Sequence, residues 1–223
     1  MVGKRQLLLS GLVGLWALAL IFGLQALQAY GTSEGQRGGF SLRFPQDSQI
    51  KLAGTGKPSL LLFLHPECPC SRATLEELDR VLAATPNKPE VYAVFVVPKG
   101  WSTPRAKTAL WLRASRMNGV TPVLDREGQE AKRFGAATSG QVYAYSPSGS
   151  LTFSGGITPL RGHNGDNPGR MLLEKYLREG GEPTSVANWK VFGCALFGAE
   201  AGENCRSPEH ARDHSSHEHG KQG

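Results

Sequence analysis

Cysteine is scarce, four residues in a chain of 223. That is too few for a disulfide-stapled mini-protein, and the chain is long enough to bury a core without staples. Concentrated positive charge is missing too. Lys and Arg total 25 against 19 Asp and Glu, a formal +6 with no long basic block. A nucleic-acid binder gathers its cations on one face, so no nucleic-acid partner is expected. The 28 glycines and 14 prolines, roughly a fifth of the chain, fall below the level of low-complexity disorder. Internal repeats, a Walker loop, HExxH, a serine triad and the CxxCH haem motif are all absent. What these absences leave is a globular domain with appendages and a few purposeful cysteines.

Charge is also lacking between Arg5 and Glu34, where residues 7–27 read LLLSGLVGLWALALIFGLQAL. As a helix rising 1.5 Å per residue, that run spans about 30 Å, the thickness of a bilayer core. Lys4 and Arg5 hold the N-terminus in the cytoplasm, so the remainder is exported. Signal-peptide apolar regions run about 7–15 residues, shorter than this one. Small residues near Ala26 and Ala29 suit cleavage, but Leu27 fits poorly at the −3 position. An uncleaved anchor is favoured over a cleaved signal. The chain therefore divides into a membrane anchor (or signal peptide) at 1–29, a tether at 30–39, a domain at 40–180 and a loop-rich C-terminal extension at 181–223. The expected location is the inner (cytoplasmic) membrane, single-pass, with the soluble domain facing the periplasm or the extracellular side. Export permits stable disulfides.

The domain alternates two hydrophobic periods. LLLFLH at 60–65 and VYAVFVV at 91–97 are continuous apolar runs of strand length, as for strands covered on both faces. Between them, residues 71–84 place Leu75, Leu78, Val81 and Leu82 on one helical face. A short strand is expected at 40–45. Ser102-Thr103-Pro104 opens a helix to about residue 117. A third strand is expected at 121–124 and a short helix at 130–134. Strands at 142–145 and 151–154 flank Ser146-Pro-Ser-Gly-Ser150 as a hairpin. Asn167-Pro168 caps and starts a helix to about residue 178, and the polar run 161–167 turns the chain into it. The class is α/β, a mainly parallel central sheet flanked by helices and closed by a hairpin. Ligands of such sheets sit beyond the carboxyl ends of strands.

At the end of the LLLFLH strand stands His65-Pro66-Glu67-Cys68-Pro69-Cys70-Ser71. Proline lacks an amide hydrogen and fixes φ near −65°, so Pro69 fits the first helical position. Cys68 is then the N-cap, facing unpaired amides and the positive end of the helix dipole. A thiolate is stabilised there, which makes Cys68 the expected nucleophile. Cys70, in the first turn, is expected to resolve a mixed disulfide. His65 is expected to tune ionisation by adding positive charge, and Glu67 opposes it. A Cys-Pro-Cys disulfide closes a ring of about eleven atoms, and such strain makes it easier to reduce than a relaxed CxxC pair. The alternative is that Cys68, Cys70 and His65 hold a thiophilic ion, copper(I) or zinc.

SLLLFLHPECPCSRATLEEL resembles the active-site strand, turn and helix of the thioredoxin-like superfamily. DREGQEAKRFGAATSGQVYAYSPSGSLTFSGGIT is similar to the second half of thioredoxin-like and peroxiredoxin-like domains. With GGIT, RGHNGDNPGR and VFGCALF, the chain most resembles the RedB-type branch of exported thioredoxin-like proteins, from about Phe40 to Phe197. The resemblance implies a thioredoxin-like central sheet and thiol–disulfide chemistry with protein thiols or disulfides as partners and no required cofactor. It also implies that Ser139 and Gly140, in Thr138-Ser139-Gly140-Gln141, bind the substrate backbone. Gly140 stands where the superfamily usually carries a cis-proline, which predicts a more open site.

In the extension, Cys194 and Cys205 are expected to form a structural disulfide, with a relay from Cys194 to Cys68 or Cys70 as the alternative. His210, His214, His217 and His219 give the tail metal-ligand composition. The tail reads either as a solvated terminus or as a collector for a copper or zinc site. Two functions follow: an anchored thiol–disulfide oxidoreductase, or a metal-handling protein on the same fold.

Overall fold

The computed structural model describes residues 3–36, 38–52, 56–179 and 185–198. It divides into two compact units, Met1–Ser33 and Glu34–Gly223. The first is a single helix, α1 (Lys4–Thr32), of 29 residues. Its mean hydropathy over the most apolar window is 2.4, and no part of that window is buried. By length and composition it is long and apolar enough to cross a membrane.

The second unit is built on six strands. These are β1 (Ser59–Leu64), β2 (Glu90–Val97), β3 (Val120–Arg126), β4 (Gln141–Tyr145), β5 (Leu151–Gly155) and β6 (Ala187–Asn188), in the order β3-β2-β1-β4-β5-β6. β1, β2 and β3 run parallel. β4 is antiparallel to β1 and forms the hairpin with β5. β1 lies inside the sheet and its six residues are all buried. Its alternation explains the unbroken apolar run. Leu60, Leu62 and Leu64 pack with Leu75, Leu78, Val81 and Leu173 on one face. Leu61 and Phe63 pack with Phe134, Tyr143 and Tyr145 on the other.

Helices cover the first face. α2 (Pro69–Ala84) directs Leu75, Leu78, Val81 and Leu82 into it. α6 (Pro168–Glu179) supplies Leu173 and Leu177 and is capped as expected, the Arg170 amide donating to Asn167 Oδ1 at 2.8 Å. The two helices are joined by the fully buried Glu77. Its carboxylate accepts from Arg80 at 2.7 Å and from the Gly165 amide at 2.6 Å. It also meets Arg170 Nε at 2.8 Å, an ion contact without hydrogen-bond alignment. On the second face lies α5 (Gln129–Phe134). The amides of Glu130 and Ala131 donate to the Asp125 carboxylate, which burial pushes up from its usual range.

Two expected elements are revised, and the segments read as tether and extension make contacts of their own. Residues 40–45 form only an isolated bridge, Arg43 to Ser150, because Pro45 cannot extend a ladder. The helix expected over 104–117 is two pieces, α3 (Thr103–Ala106) and α4 (Ala109–Arg116). It breaks at Thr108, whose hydroxyl donates to the Pro66 carbonyl at 2.7 Å instead of continuing the helix. The residues read as a tether are partly folded: α1 runs to Thr32, the Gly35 amide donates to Val191 O, and Thr138 Oγ1 donates to Gln36 O. Residues 185–198, read as the start of a loop-rich extension, add β6 beside β5 and bury Val191, Phe192, Cys194 and Leu196.

Candidate active site

The chain leaves β1, turns through His65-Pro66-Glu67 and enters α2 at Pro69, with Cys68 in the N-cap position at φ −90° and ψ 129°. Cys70 follows in the first turn. The turn is fastened from inside by hydroxyls. Ser71 Oγ donates to the His65 carbonyl at 2.8 Å, and the His65 amide is shared by Ser71 Oγ and Ser139 Oγ at 3.0 and 3.1 Å. Because the Ser71 proton points to His65, Ser139 donates across the 2.8 Å Ser71–Ser139 contact. Strand end, helix start and the 138–141 loop are thereby held as one piece.

The structure adds a cysteine to this place. Cys194 Sγ lies 3.5 Å from Cys68 Sγ, a van der Waals contact between sulfurs and well beyond a disulfide bond of about 2.05 Å. The sulfurs of Cys68, Cys70 and Cys194 all lie within 4.8 Å of one another. They are 1%, 3% and 5% exposed and form their own cluster. Cys205 lies outside the described residues, so the pair Cys194–Cys205 is not seen; Cys194 is placed with Cys68 and Cys70. His210, His214, His217 and His219 also lie outside the described residues.

Cys194 arrives on a segment that pairs with the 137–139 loop. The Ser139 amide donates to the Cys194 carbonyl at 2.8 Å and the Leu196 amide to Ala137 at 2.9 Å, with Thr138 opposite Ala195. Gly193 is what permits this approach, since a Cβ there would overlap the Ser139 carbonyl oxygen and come within 2.9 Å of Thr138 Cγ2. Ser139 and Gly140 were expected to receive a substrate backbone. In the structure the Ser139 amide is engaged by Cys194 and the Gly140 amide by Phe63 O at 2.8 Å, so the chain's own segment occupies the pairing position. Around Gly140 itself the loop is closely packed. Gly140 has φ +95°, and a Cβ on it would meet Thr74 Oγ1 at 2.9 Å. Glycine here fits close packing, not an enlarged entrance.

His65 is fully buried. Burial pushes its pKa down, outweighing the attraction of Cys68 and Glu67, so the ring is neutral near pH 7 and supplies no positive charge to the thiols. Its Nδ1 accepts from the Glu67 amide at 3.3 Å, which leaves the proton on Nε2, without a hydrogen-bond partner among the described residues. The ring meets Trp101 edge-on at 5.7 Å, and Arg105 covers Trp101 at 4.0 Å. His65 is outside the group of ligand atoms formed by the three sulfurs. The Cys70 thiol is pushed strongly up by hydrogen bonds to Cys194 and Cys68 and by burial, so it stays protonated.

Access is unequal. A groove of about 230 Å³ reaches Cys68 between Pro66, Glu67 and Arg72 on one side and Thr108 and Leu110 on the other; neither Cys70 nor Cys194 lines it. A larger cavity of about 520 Å³ lies beside Tyr92, Asp125 and Glu130. Its acids are already engaged, Asp125 by the amides of α5 and Glu130 by Ser48, Gln49 and Arg133. Sequence reasoning singled out Cys68, Cys70 and His65 and ranked the relay at Cys194 second; the structure groups Cys68 and Cys70 with Cys194. Gly193, beside Cys194, was the local signal of close backbone approach.

This architecture is a thioredoxin-like α/β fold: parallel β1 and β2 around the helix that starts at the cysteines, then an antiparallel hairpin. A conserved protein of uncharacterised function from Geobacillus kaustophilus is similar, 16% identical over 74% of this chain and 91% of that one, with a TM-score of 0.52. A secreted Mycobacterium tuberculosis disulfide oxidoreductase is 19% identical over 55% and 81%, TM-score 0.37. The exposed lipoprotein thioredoxin Etrx1 of Streptococcus pneumoniae is 17% identical over 56% and 85%, TM-score 0.41. No family model and no curated protein matches the chain.

Proposed function

We propose that the protein is an exported, membrane-anchored thiol–disulfide oxidoreductase acting on protein thiols or disulfides, with Cys68 as the attacking sulfur. The observation that carries this reading is the placement of Cys68. It caps α2 at the end of β1, it lines an open groove, and a second sulfur stands 3.5 Å from it. An N-cap thiol faces the unpaired amides and positive end of the helix, which favours the thiolate that exchange needs. No cofactor is needed, because the electrons are carried by the sulfurs. α1 has the length and composition of an anchor, and the groove would then face the periplasm or the extracellular side. The neighbours described as thioredoxin and disulfide oxidoreductase fit the same chemistry.

A second reading rests on the three-sulfur cluster, which has the donor set of a copper(I) or zinc site. It ranks lower because all three sulfurs are buried, at 1%, 3% and 5% exposure, and His65 stands outside their group of ligand atoms.

The test is exchange with oxidised glutathione on the full chain in detergent. Wild type should form a Cys68–glutathione adduct and pass to an intramolecular disulfide, whereas Cys68→Ser should form neither. An unreactive Cys68 in wild type, with stoichiometric copper(I) bound by all three thiolates, would reverse the order of the two readings.

A further inference from the structure

We propose that Cys194 is the resolving cysteine of this site, so that the working disulfide is Cys68–Cys194 and not Cys68–Cys70. The inference rests on the thiol–disulfide reading above and names the second sulfur of the couple.

Geometry favours Cys194. Its sulfur is already 3.5 Å from Cys68 Sγ, and closing to about 2.05 Å asks for a shift of about 1.5 Å. Cys70 Sγ also lies within 4.8 Å of Cys68 Sγ, but it sits in the first turn of α2, which Ser71, Ser139 and the His65 backbone hold in place, and a Cys-Pro-Cys disulfide closes a strained ring of about eleven atoms. Cys194 approaches from a separate segment, paired to the 137–139 loop by two backbone hydrogen bonds. That segment occupies the pairing position expected for a substrate backbone, so Cys194 is presented to Cys68 as a substrate sulfur would be.

The reaction then balances as follows. Cys68 thiolate, entered from the groove, attacks a disulfide of the substrate protein. The substrate S–S bond breaks, one substrate sulfur leaves as a thiolate and takes the proton released when Cys68 ionised, and Cys68 holds the other as a mixed disulfide. Cys194 loses its proton and attacks Cys68 Sγ. The mixed disulfide breaks, and the second substrate sulfur leaves with the proton from Cys194. The substrate disulfide gains two electrons, and the Cys68–Cys194 dithiol loses two and becomes a disulfide. Run backwards, the same steps oxidise a substrate dithiol.

The experiment uses the full chain in detergent. Reduced protein is oxidised with glutathione disulfide, remaining thiols are alkylated, and linked peptides are mapped by mass spectrometry. The expected wild-type product is a Cys68–Cys194 link with Cys70 alkylated. Release of glutathione from the Cys68 adduct should slow about tenfold or more in Cys194→Ser and change by less than about threefold in Cys70→Ser. A mapped Cys68–Cys70 or Cys194–Cys205 link as the reactive product overturns the proposal. So does release that depends on Cys70 and ignores Cys194. Either result leaves Cys68 as nucleophile and the oxidoreductase reading standing. A wild-type Cys68 that forms no adduct removes that reading and this proposal together. The wild-type map needs no variant, so the outcome stands even where Cys194→Ser folds poorly.

Discussion

Placing a methyl group on Gly193 should open the site. A Cβ there would overlap the Ser139 carbonyl oxygen and crowd Thr138 Cγ2, both on the loop that the Cys194 segment pairs with. Gly193 is not among the positive-φ glycines, so backbone strain plays no part in the effect. Relief requires the segment to lift, breaking the Ser139–Cys194 and Leu196–Ala137 hydrogen bonds. Each contributes roughly 0.5–1.5 kcal/mol net, and forced overpacking costs about 1–3 kcal/mol where the segment stays seated. The two hydrogen bonds are lost on lifting in wild type and variant alike, so only the overpacking shifts the balance, and Gly193→Ala should favour the lifted state by about 1–3 kcal/mol, an increase of about 5- to 150-fold in its population. The assay is alkylation of the reduced full chain by N-ethylmaleimide, with Cys68, Cys70 and Cys194 followed separately by peptide mass. Cys194 labelling should accelerate by at least the lower figure. Gly39→Ala, where a Cβ meets nothing within 4 Å, is the control and should leave it unchanged. Cys194 labelling within about threefold of wild type, with Gly193→Ala folded by circular dichroism, would refute the seating of the segment argued here.

Other outcomes follow from single contacts. Gly140→Ala should cost about 1–3 kcal/mol in urea unfolding, because it combines φ +95° with contact on Thr74 Oγ1. Adding Thr74→Ala should recover the steric part and leave the conformational part. His65→Asn should flatten the acid limb of stability. A neutral buried histidine gives stability that is full above its unfolded pKa of about 6.5 and is lost as pH falls from there through the lowered folded value. The difference between wild type and variant must therefore grow downwards from pH 6.5, and growth above pH 7 would contradict the burial argument. Comparison at matched pH removes Asp125, whose raised pKa acts in the opposite direction. Glu77→Ala should lose about 2–4 kcal/mol, less than for an isolated buried pair because Arg170 keeps Glu174 and Asp166. Thr108→Val should cost about 1 kcal/mol and speed alkylation of Cys68, since it frees the Pro66 carbonyl beside the groove.

Much of this was readable from local pattern. The unbroken LLLFL run gave a strand buried on both faces, the helical period of 71–84 gave the covering helix, and Pro69 placed Cys68 at its cap. Each signal lies within one element. What escaped was tertiary. Nothing in the spacing of Cys194 places its sulfur against Cys68, because a contact between residues 126 apart leaves no period in the sequence. The charge of His65 depends on burial that only the packed turn creates. The break at Thr108 depends on a carbonyl 42 residues upstream. Gly140 was read from the loop alone as an opening, whereas the segment bearing Val191, Phe192 and Cys194 fills the place.

The 126-residue separation of Cys68 from Cys194 also orders events in time. The contact between His65 and Ser71 closes over six residues. Bringing Cys194 home closes a loop roughly twenty times longer, at about 3 kcal/mol more chain entropy. The cap, the first turn and Cys70 can form as soon as β1 and α2 meet, while Cys194 docks only once the hairpin and the 138–141 loop exist to receive it. On chain entropy alone, its docking should follow the contacts of the cap and the first turn. A chain stalled before that point would carry Cys70 without the neighbouring Cys194 segment, and its Cys70 would meet thiol reagents faster than in the finished protein.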